Sequence, residues 1–348
     1  MARNYTNRAA VFFLSIALIS APSISPSRAS EDASPVCVVS PNVADVGNLV
    51  IGASNQNIPT IEWGIRQGCF KKYGLSVKAL SVASFPVGIA GLVSKSYDLY
   101  ATTPVNVIKS VAEGTFPGRF VAAKHGYSES DLLRAKTAPL YSDELLMSTA
   151  VIVSKKSGIK TLPDLNGKKV AVLSIQGVDQ AGIILALREA GIRKPKIEFL
   201  VLSNVQMADA LKRGDVDAAV AIDPFATQMI KDGGEVIGYP QAYFQEPGPA
   251  IVFMSSAEIV KSKSRAIRAF QKANLEINRL LNKKENEKSL RAVIAEVTKV
   301  SPDVASKVKL SIMSESDLTI SQLSYLPNKL KRVGFMKGRF EIGPIIFR

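Results

Sequence analysis

Residues that carry catalysis and metal binding are scarce in this chain. Its 348 residues include two cysteines, one histidine and one tryptophan. Two cysteines and one histidine cannot build a CxxC-type zinc site; carboxylates alone could still hold a metal, but no acidic loop of the EF-hand kind occurs. GxSxG, HExxH, GxGxxG and P-loop patterns are all missing. His125, in AAKHGYSES, is the only histidine that could serve as a general base, and it reads as a surface-loop residue. The expectation is a protein that is not an enzyme, with no catalytic residues, no metal and no cofactor.

Acidic residues are also in the minority. Lys and Arg number 44 against 30 Asp and Glu, a formal net charge of +14. Such a balance raises the question of nucleic acid. The lysines, however, are scattered over turns and helix faces, as at Lys155, Lys156, Lys194 and Lys261, with no arginine-rich arm and no basic stripe interleaved with aromatics. A solvated basic surface that attracts anions in general accounts for them, and no nucleic-acid partner is expected.

Long apolar runs are confined to the N-terminus. Arg3 and Arg8 precede an apolar run from Ala9 to Ala21, shorter than the roughly 20 residues a bilayer-spanning helix needs. Ser27-Arg28-Ala29 offers the small residues of a cleavage site, so residues 1–29 read as a signal peptide cut after Ala29. Pro35-Val36 before Cys37 is not a lipobox. The mature chain is expected in the periplasm, monomeric and not membrane-spanning. There Cys37 and Cys69 either form a disulfide, tying the tail to the first helix, or stay as two thiols; the residues leave both open.

What is present is an alternation of strands and helices. Short apolar segments at 48–52, 75–82, 98–101 and 120–123 read as strands, with helices between them starting near Pro59, Phe85 and Val105. Trp63 on the first helix reads as core. The pattern restarts with strands at 150–154, 169–173, 197–202, 216–222 and 235–239. Such alternation implies βαβ units and a mainly parallel sheet. Two segments echo one another: GLVSKSYDLYATTP and DALKRGDVDAAVAIDP each run from a basic helix end, through an Asp, into a short strand that breaks at a proline. From about residue 251 long helical stretches take over, beginning with 257–284. The reading is two similar α/β lobes: a tail over 30–46, lobe one over 47–147, lobe two over 148–249, and a return to lobe one over 250–348. Two crossings, near 145–149 and 248–251, form a hinge.

In open α/β sheets ligands bind beyond the carboxyl ends of the strands. Those ends here are small, polar or interrupted by proline, and helices follow them. Helix N-termini bring free N–H groups and partial positive charge to such a place. The candidate ligand-binding residues are Asn55, Gln56 and Asn57, then Ser84 and Phe85, Thr102 and Thr103, Gln176 and Gly177, and Asp223 and Phe225. Asp179 either faces the cleft, where it could take an ammonium group, or is a first-turn acid complementing its own helix dipole, and the second reading is favoured. A cleft carboxylate at Asp223 would suit an ammonium group, so a zwitterion such as an aminosulfonate fits beside a plain anion.

Three stretches resemble the nitrate/sulfonate/taurine-type substrate-binding proteins of ABC transporters. IGASNQNIPTIEWGIRQGCFKKYGLSV is similar to the opening strand, loop and helix of that family. VIVSKKSGIKTLPDLNGKKVAV is similar to its most specific stretch, and ALKRGDVDAAVAIDPF to its later G-x-v-D-A…P-f segment. The resemblance runs from about residue 48 to 300. It implies a periplasmic-binding-protein-like fold of type II: two Rossmann-like lobes, a two-crossing hinge, and C-terminal helices returning to lobe one. It also implies capture of a small solute (sulfonate, taurine, nitrate or similar) and delivery to an ABC permease and its ATPase. The rival readings are an enzyme of the same fold, of pyrimidine-precursor or menaquinone-pathway type, and a ligand-sensing module for a membrane receptor. The stretch 125–147 is longer than the family's usual connection and reads as a lid, a partner surface or simply a longer link.

Overall fold

A computed structural model describes residues 35–140 and 145–348. Residues 1–34, which include the stretch read as a signal peptide, and residues 141–144 of the long connection lie outside the described residues.

The first lobe opens with β1 (Gly47–Ala53), α1 (Ile58–Arg66), β2 (Leu75–Ser81), α2 (Phe85–Val93), β3 (Leu99–Thr102), α3 (Pro104–Ala112), β4 (Gly118–Tyr127) and α4 (Glu129–Thr137). The second holds β5 (Thr149–Ser154), β6 (Lys169–Val172), α5 (Val178–Glu189), β7 (Glu198–Val201), α6 (Asn204–Arg213), β8 (Ala218–Ile222), α7 (Phe225–Lys231), β9 (Gly234–Gly238) and α8 (Gln241–Phe244). The chain then returns through β10 (Gly248–Ser256), α9 (Ala257–Ser262), α10 (Ser264–Leu281), α11 (Glu287–Thr298), α12 (Pro302–Lys307), β11 (Ile312–Met313) and α13 (Leu326–Val333).

Two sheets result, ordered β11-β4-β10-β3-β1-β2 and β7-β6-β8-β5-β9. Within the first, β1 is parallel to β2 and β3, while β10 runs antiparallel to β3 and β4. In the second, β6 is parallel to β7 and β8, and β5 runs antiparallel to β8 and β9. Each lobe is thus a parallel α/β core joined by antiparallel strands, β10 and the short β11 in the first and β5 in the second, the two-lobed arrangement that the resemblance implies.

Helix starts follow local chemistry. Proline stands in the first turn of α1, α2 and α3, where its missing N–H costs nothing. α10 is an amphipathic rod whose buried side chains Ile267, Phe270, Ala273, Ile277 and Leu281 recur at helical spacing. Phe270 stacks on Phe70 and meets Phe253 edge-on, with centroids 6.0 and 4.9 Å apart. Trp63 is fully buried and donates from Nε1 to Ser289 Oγ at 2.8 Å. Cys37 and Cys69 are joined by a disulfide, which fastens the segment before β1 to the end of α1. Among the described residues no helix is long and apolar enough to cross a membrane.

Two expectations from sequence need correction. The helical stretch 257–284 is broken at Lys263, whose ammonium reaches back to the carboxylate of Asp98 at 2.7 Å. The strand expected to end at Ala123 runs on to Tyr127, because β10 and β11 both pair with its second half. His125 is therefore a strand residue and not part of a surface loop.

Candidate functional site

Strand ends from both sheets face one cleft of about 490 Å³, within the range of small-ligand sites. On the first lobe, Asn55, Gln56 and Asn57 line it from the turn after β1. Ser84 and Phe85 do so from the start of α2, and Thr102 and Thr103 from the end of β3. On the second, Asp223 and Phe225 line it after β8. Gln176 and Gly177 are not among the lining residues, although their neighbours Ser174 and Val178 are. Gln176 turns outward instead, and its side-chain oxygen accepts from the Lys109 ammonium of the first lobe. Gly177 has a local reason to be glycine: a Cβ there would stand 2.3 Å from Ser174 Oγ.

The helices α1, α2 and α5 begin at the cleft with no side-chain cap on their N-termini. First-turn N–H groups without such a cap can serve another acceptor, although in α1 Ile58 N already donates to Ser54 O at 3.2 Å and Pro59 has none to give. At α3, Thr103 caps weakly, accepting from Asn106 N at 3.4 Å, while Asn106 Nδ2 donates to Thr102 Oγ1 at 2.9 Å. Phe85 and Tyr100, with ring centroids 6.2 Å apart, supply aromatic surface.

The charged groups of the cleft were mostly not among the sequence candidates. Lys124 is 3% exposed and lines the cleft. Among the described residues its ammonium has no hydrogen-bond or ion-pair partner, and burial pushes its pKa down to about 7. It is the extra residue of a β-bulge: Ala123 faces Val252 and His125 faces Ile251, leaving Lys124 without a partner on β10. A bulge re-aims side chains, and here Lys124 and its neighbour His125 both line the cleft. Asn274 Nδ2 braces the bulge by donating to the Ala123 carbonyl at 2.8 Å. His125 keeps an unpartnered Nδ1, and burial, with Lys124 beside it, holds its pKa well below the usual histidine value.

The second lobe supplies acids. Asp179 lines the cleft and accepts from Gln241 Nε2 at 3.2 Å, and burial raises its pKa to about 6. Its carboxylate is thus a cleft group, which the dipole reading did not anticipate. Gln241 also donates to Thr149 Oγ1, and its own Oε1 is buried without a partner. Asp223, likewise raised to about 6 by burial, is differently engaged. Its Oδ1 accepts from Thr227 N and Oγ1 at 2.9 and 2.7 Å, and its Oδ2 from Lys309 N at 2.6 Å. Both oxygens already hold donors, so Asp179 is the freer of the two carboxylates.

The sequence profile of the NMT1-like family matches residues 59–295. The chain belongs to the NMT1-like family. Among solved structures, this family member is similar to the alkanesulfonate-binding protein SsuA from Xanthomonas axonopodis pv. citri bound to MOPS. That likeness has a TM-score of 0.69 at 16% identity, covering 88% of this chain and 100% of that one. It is also similar to the periplasmic nitrate-binding protein NrtA from Synechocystis PCC 6803, with a TM-score of 0.66 at 16% identity, covering 85% and 83%. A protein of Escherichia coli (strain K12) that carries the name aliphatic sulfonates-binding protein is 34% identical over 85 residues, 24% of this chain and 26% of that relative. The matches span 26% to 55% of the lengths of the curated relatives. The solved neighbours establish the two-lobed fold.

Proposed function

We propose that this NMT1-like protein is an exported solute-binding protein. It captures a small anionic or zwitterionic organic solute (a sulfonate, taurine, nitrate or similar) between its lobes and delivers it to an ABC permease and ATPase. The observation that carries this reading is the cleft itself. The carboxyl ends of strands from both sheets, three helix N-termini without side-chain caps, and one buried, unpaired lysine converge there. The helix N-termini and the lysine favour negative charge. The names of the sulfonate-binding and nitrate-binding relatives support the same ligand class. Ligand held by one lobe would recruit the other through its higher affinity for the closed form, and the permease would read that form. The chain path, which passes from the first sheet to the second and back through β10, supports a hinge at the crossings.

The test is thermal unfolding of the chain from Ser30 with taurine, alkyl and aryl sulfonates, nitrate, bicarbonate, small carboxylates and thiamine precursors. A ligand at 100 times its dissociation constant adds about 2.7 kcal/mol, a shift on the order of 5 °C for a chain of this size. One clear shift is expected among the sulfonates or nitrate. No shift with any member, in protein freed of carried-over ligand, would overturn the reading.

A further inference from the structure

Of the charged side chains lining the cleft, Lys124 and Lys309 have no side-chain partner among the described residues, and Asp179 is the freer of the two carboxylates. The deeply buried Lys124 and Asp179 sit on opposite lobes and have opposite sign. Lys124 comes from the first lobe, on a β-bulge whose carbonyl neighbours are held by the α10 amides: Asn274 and Asn278 both donate to Ala123 O, and Asn278 donates also to Ser314 O. A bulge pinned in this way sets where the ammonium points, and no acceptor among the described residues meets it. Asp179 comes from the second lobe, on the first turn of α5, with Gln241 Nε2 on one oxygen and the unpartnered Gln241 Oε1 alongside. Neither Lys124 nor Asp179 acts on the other's charge: burial alone acts on the lysine, and burial with Gln241 on the carboxylate. A buried charge without a partner is costly, and so is a buried amide oxygen without a donor. A ligand that brings an anion to Lys124 and a donor to Asp179 and Gln241 Oε1 relieves both costs at once, and does so only when the lobes share it.

Resting on the solute-binding reading above, we infer that the ligand is dipolar. Its acidic group is held by Lys124 and the first-lobe helix N-termini, and its amino or other cationic group by Asp179 and Gln241 of the second lobe. Asp223, saturated by Thr227 and Lys309, serves the framework and not the ligand. The inference reassigns the ammonium partner from the residue favoured by sequence to one passed over there. It also makes the ligand's two poles the link that holds the lobes together.

Calorimetric titration of the chain from Ser30 with aminoalkanesulfonates of two to four carbons, and with the matching alkanesulfonates, tests it. The wild type should bind the best aminoalkanesulfonate at least about tenfold more tightly than its partner, a difference of about 1.4 kcal/mol. Asp179→Asn should collapse that ratio toward one. Asp223→Asn should leave the ratio as in the wild type even where it lowers stability. Lys124→Met, or Lys124→Gln should the first variant not fold, should weaken both compounds together. Equal binding of the two series by the wild type, or a preference that survives Asp179→Asn, would overturn the dipolar assignment while the solute-binding reading stands. Binding of neither series, with a clear response to another solute of the panel, would overturn the assignment too. Silence toward every solute would remove both.

Discussion

Asp98 and Asp217 occupy equivalent places in the two lobes. Asp98 accepts from Val50 N at 2.8 Å and its own N–H returns a bond to Val50 O. Asp217 accepts from Lys169 N at 2.8 Å and its N–H returns a bond to Lys169 O. Each pair is separated by 48 residues in sequence. Each Asp precedes the strand, β3 or β8, whose end opens onto the cleft. The echo seen in sequence is therefore a repeated clamp that fixes one strand end to the first parallel strand of its own lobe. The lobes differ in what surrounds it. Asp98 is 5% exposed and paired with Lys263 from the returning helices, whereas Asp217 has no such second partner among the described residues. The first lobe is wrapped by α10 and α11 and fastened by the disulfide; the second has a thinner cover. They differ also in the charges that face the cleft, the buried Lys124 on one and Asp179 and Asp223 on the other. The framework is common, and individuality comes from single residues set on it.

The sharpest way to break this comparison is to remove each clamp. Asp98→Ala strips a buried N–H of its acceptor and leaves Lys263 without its carboxylate, and should cost about 2–4 kcal/mol. Asp217→Ala, on a more exposed and singly bonded carboxylate, should cost about 1 kcal/mol. Urea unfolding of both variants measures the difference; equal losses would mean that the extra wrapping of the first lobe adds nothing to the clamp. Reduction of the Cys37–Cys69 bond, or Cys37→Ser with Cys69→Ser, should lower stability by about 2–4 kcal/mol through the freed loop. The cleft lies elsewhere, so ligand affinity should change by less than about twofold, or 0.4 kcal/mol. A large affinity loss on reduction would show that the tail reaches the binding lobes.

Much of this framework was legible in sequence because it is written in periodicity. α2, α7 and the one-turn helix Leu162–Leu165 start and stop where their prolines, glycines and apolar spacing place them. The ends of the parallel strands led to the cleft for the same reason: topology alone puts them there. Lys124 was hidden because FVAAKHGY looks like a strand that stops at its first charge. Only pairing with β10 and β11, which arrive over a hundred residues later, carries the strand through Lys124 and His125. Asp179 does stand in the first turn of α5, as the dipole reading has it; that its carboxylate also lines the cleft beside Gln241 of another helix has no signal in its own stretch of sequence. Gln176 was placed in the cleft by its position after β6, but a positive φ of 56° turns it away.

The opposite charges give the lobes opposite pH signatures. Lys124 has its pKa lowered to about 7, so in the unfolded chain it holds a proton through a window where the folded chain does not. Stability gained from it is lost as pH falls toward 7 and recovered as pH rises toward 10. The slope is at most about 1.4 kcal/mol per pH unit. Asp179 and Asp223 are raised to about 6; their contribution is full below about 4 and lost as pH rises through 6. The other titratable groups lining the cleft are His125, Tyr100, Tyr127 and Lys309. Burial and the neighbouring Lys124 hold His125 well below the usual histidine value, and the tyrosines are raised by burial. Denaturant unfolding against pH should show the alkaline gain vanish in Lys124→Met and the acid-side loss shrink in Asp179→Asn. Affinity for an aminoalkanesulfonate should fall on both sides of pH 6–7, and that for an alkanesulfonate only on the alkaline side.

Gln176 provides the smallest effect and a fine discrimination. It belongs to the second lobe but meets Lys109 of the first outside the cleft lining. A contact of this kind acts on ligand binding only through the balance between open and closed arrangements, since it favours the form in which the lobes touch. Lys109 also has the Glu113 carboxylate at 3.3 Å, so loss of the amide is partly compensated. Gln176→Ala should therefore weaken every bound solute by the same small factor, less than about threefold, or 0.6 kcal/mol. It should leave the order of preference among solutes as it was. A direct ligand contact would instead cost about tenfold or more for the solutes it touches and spare the others. Calorimetric titration of one tight and one weak solute separates these outcomes. A uniform small loss identifies Gln176 as a contact between lobes, and a selective large one returns it to the site where its sequence position first put it.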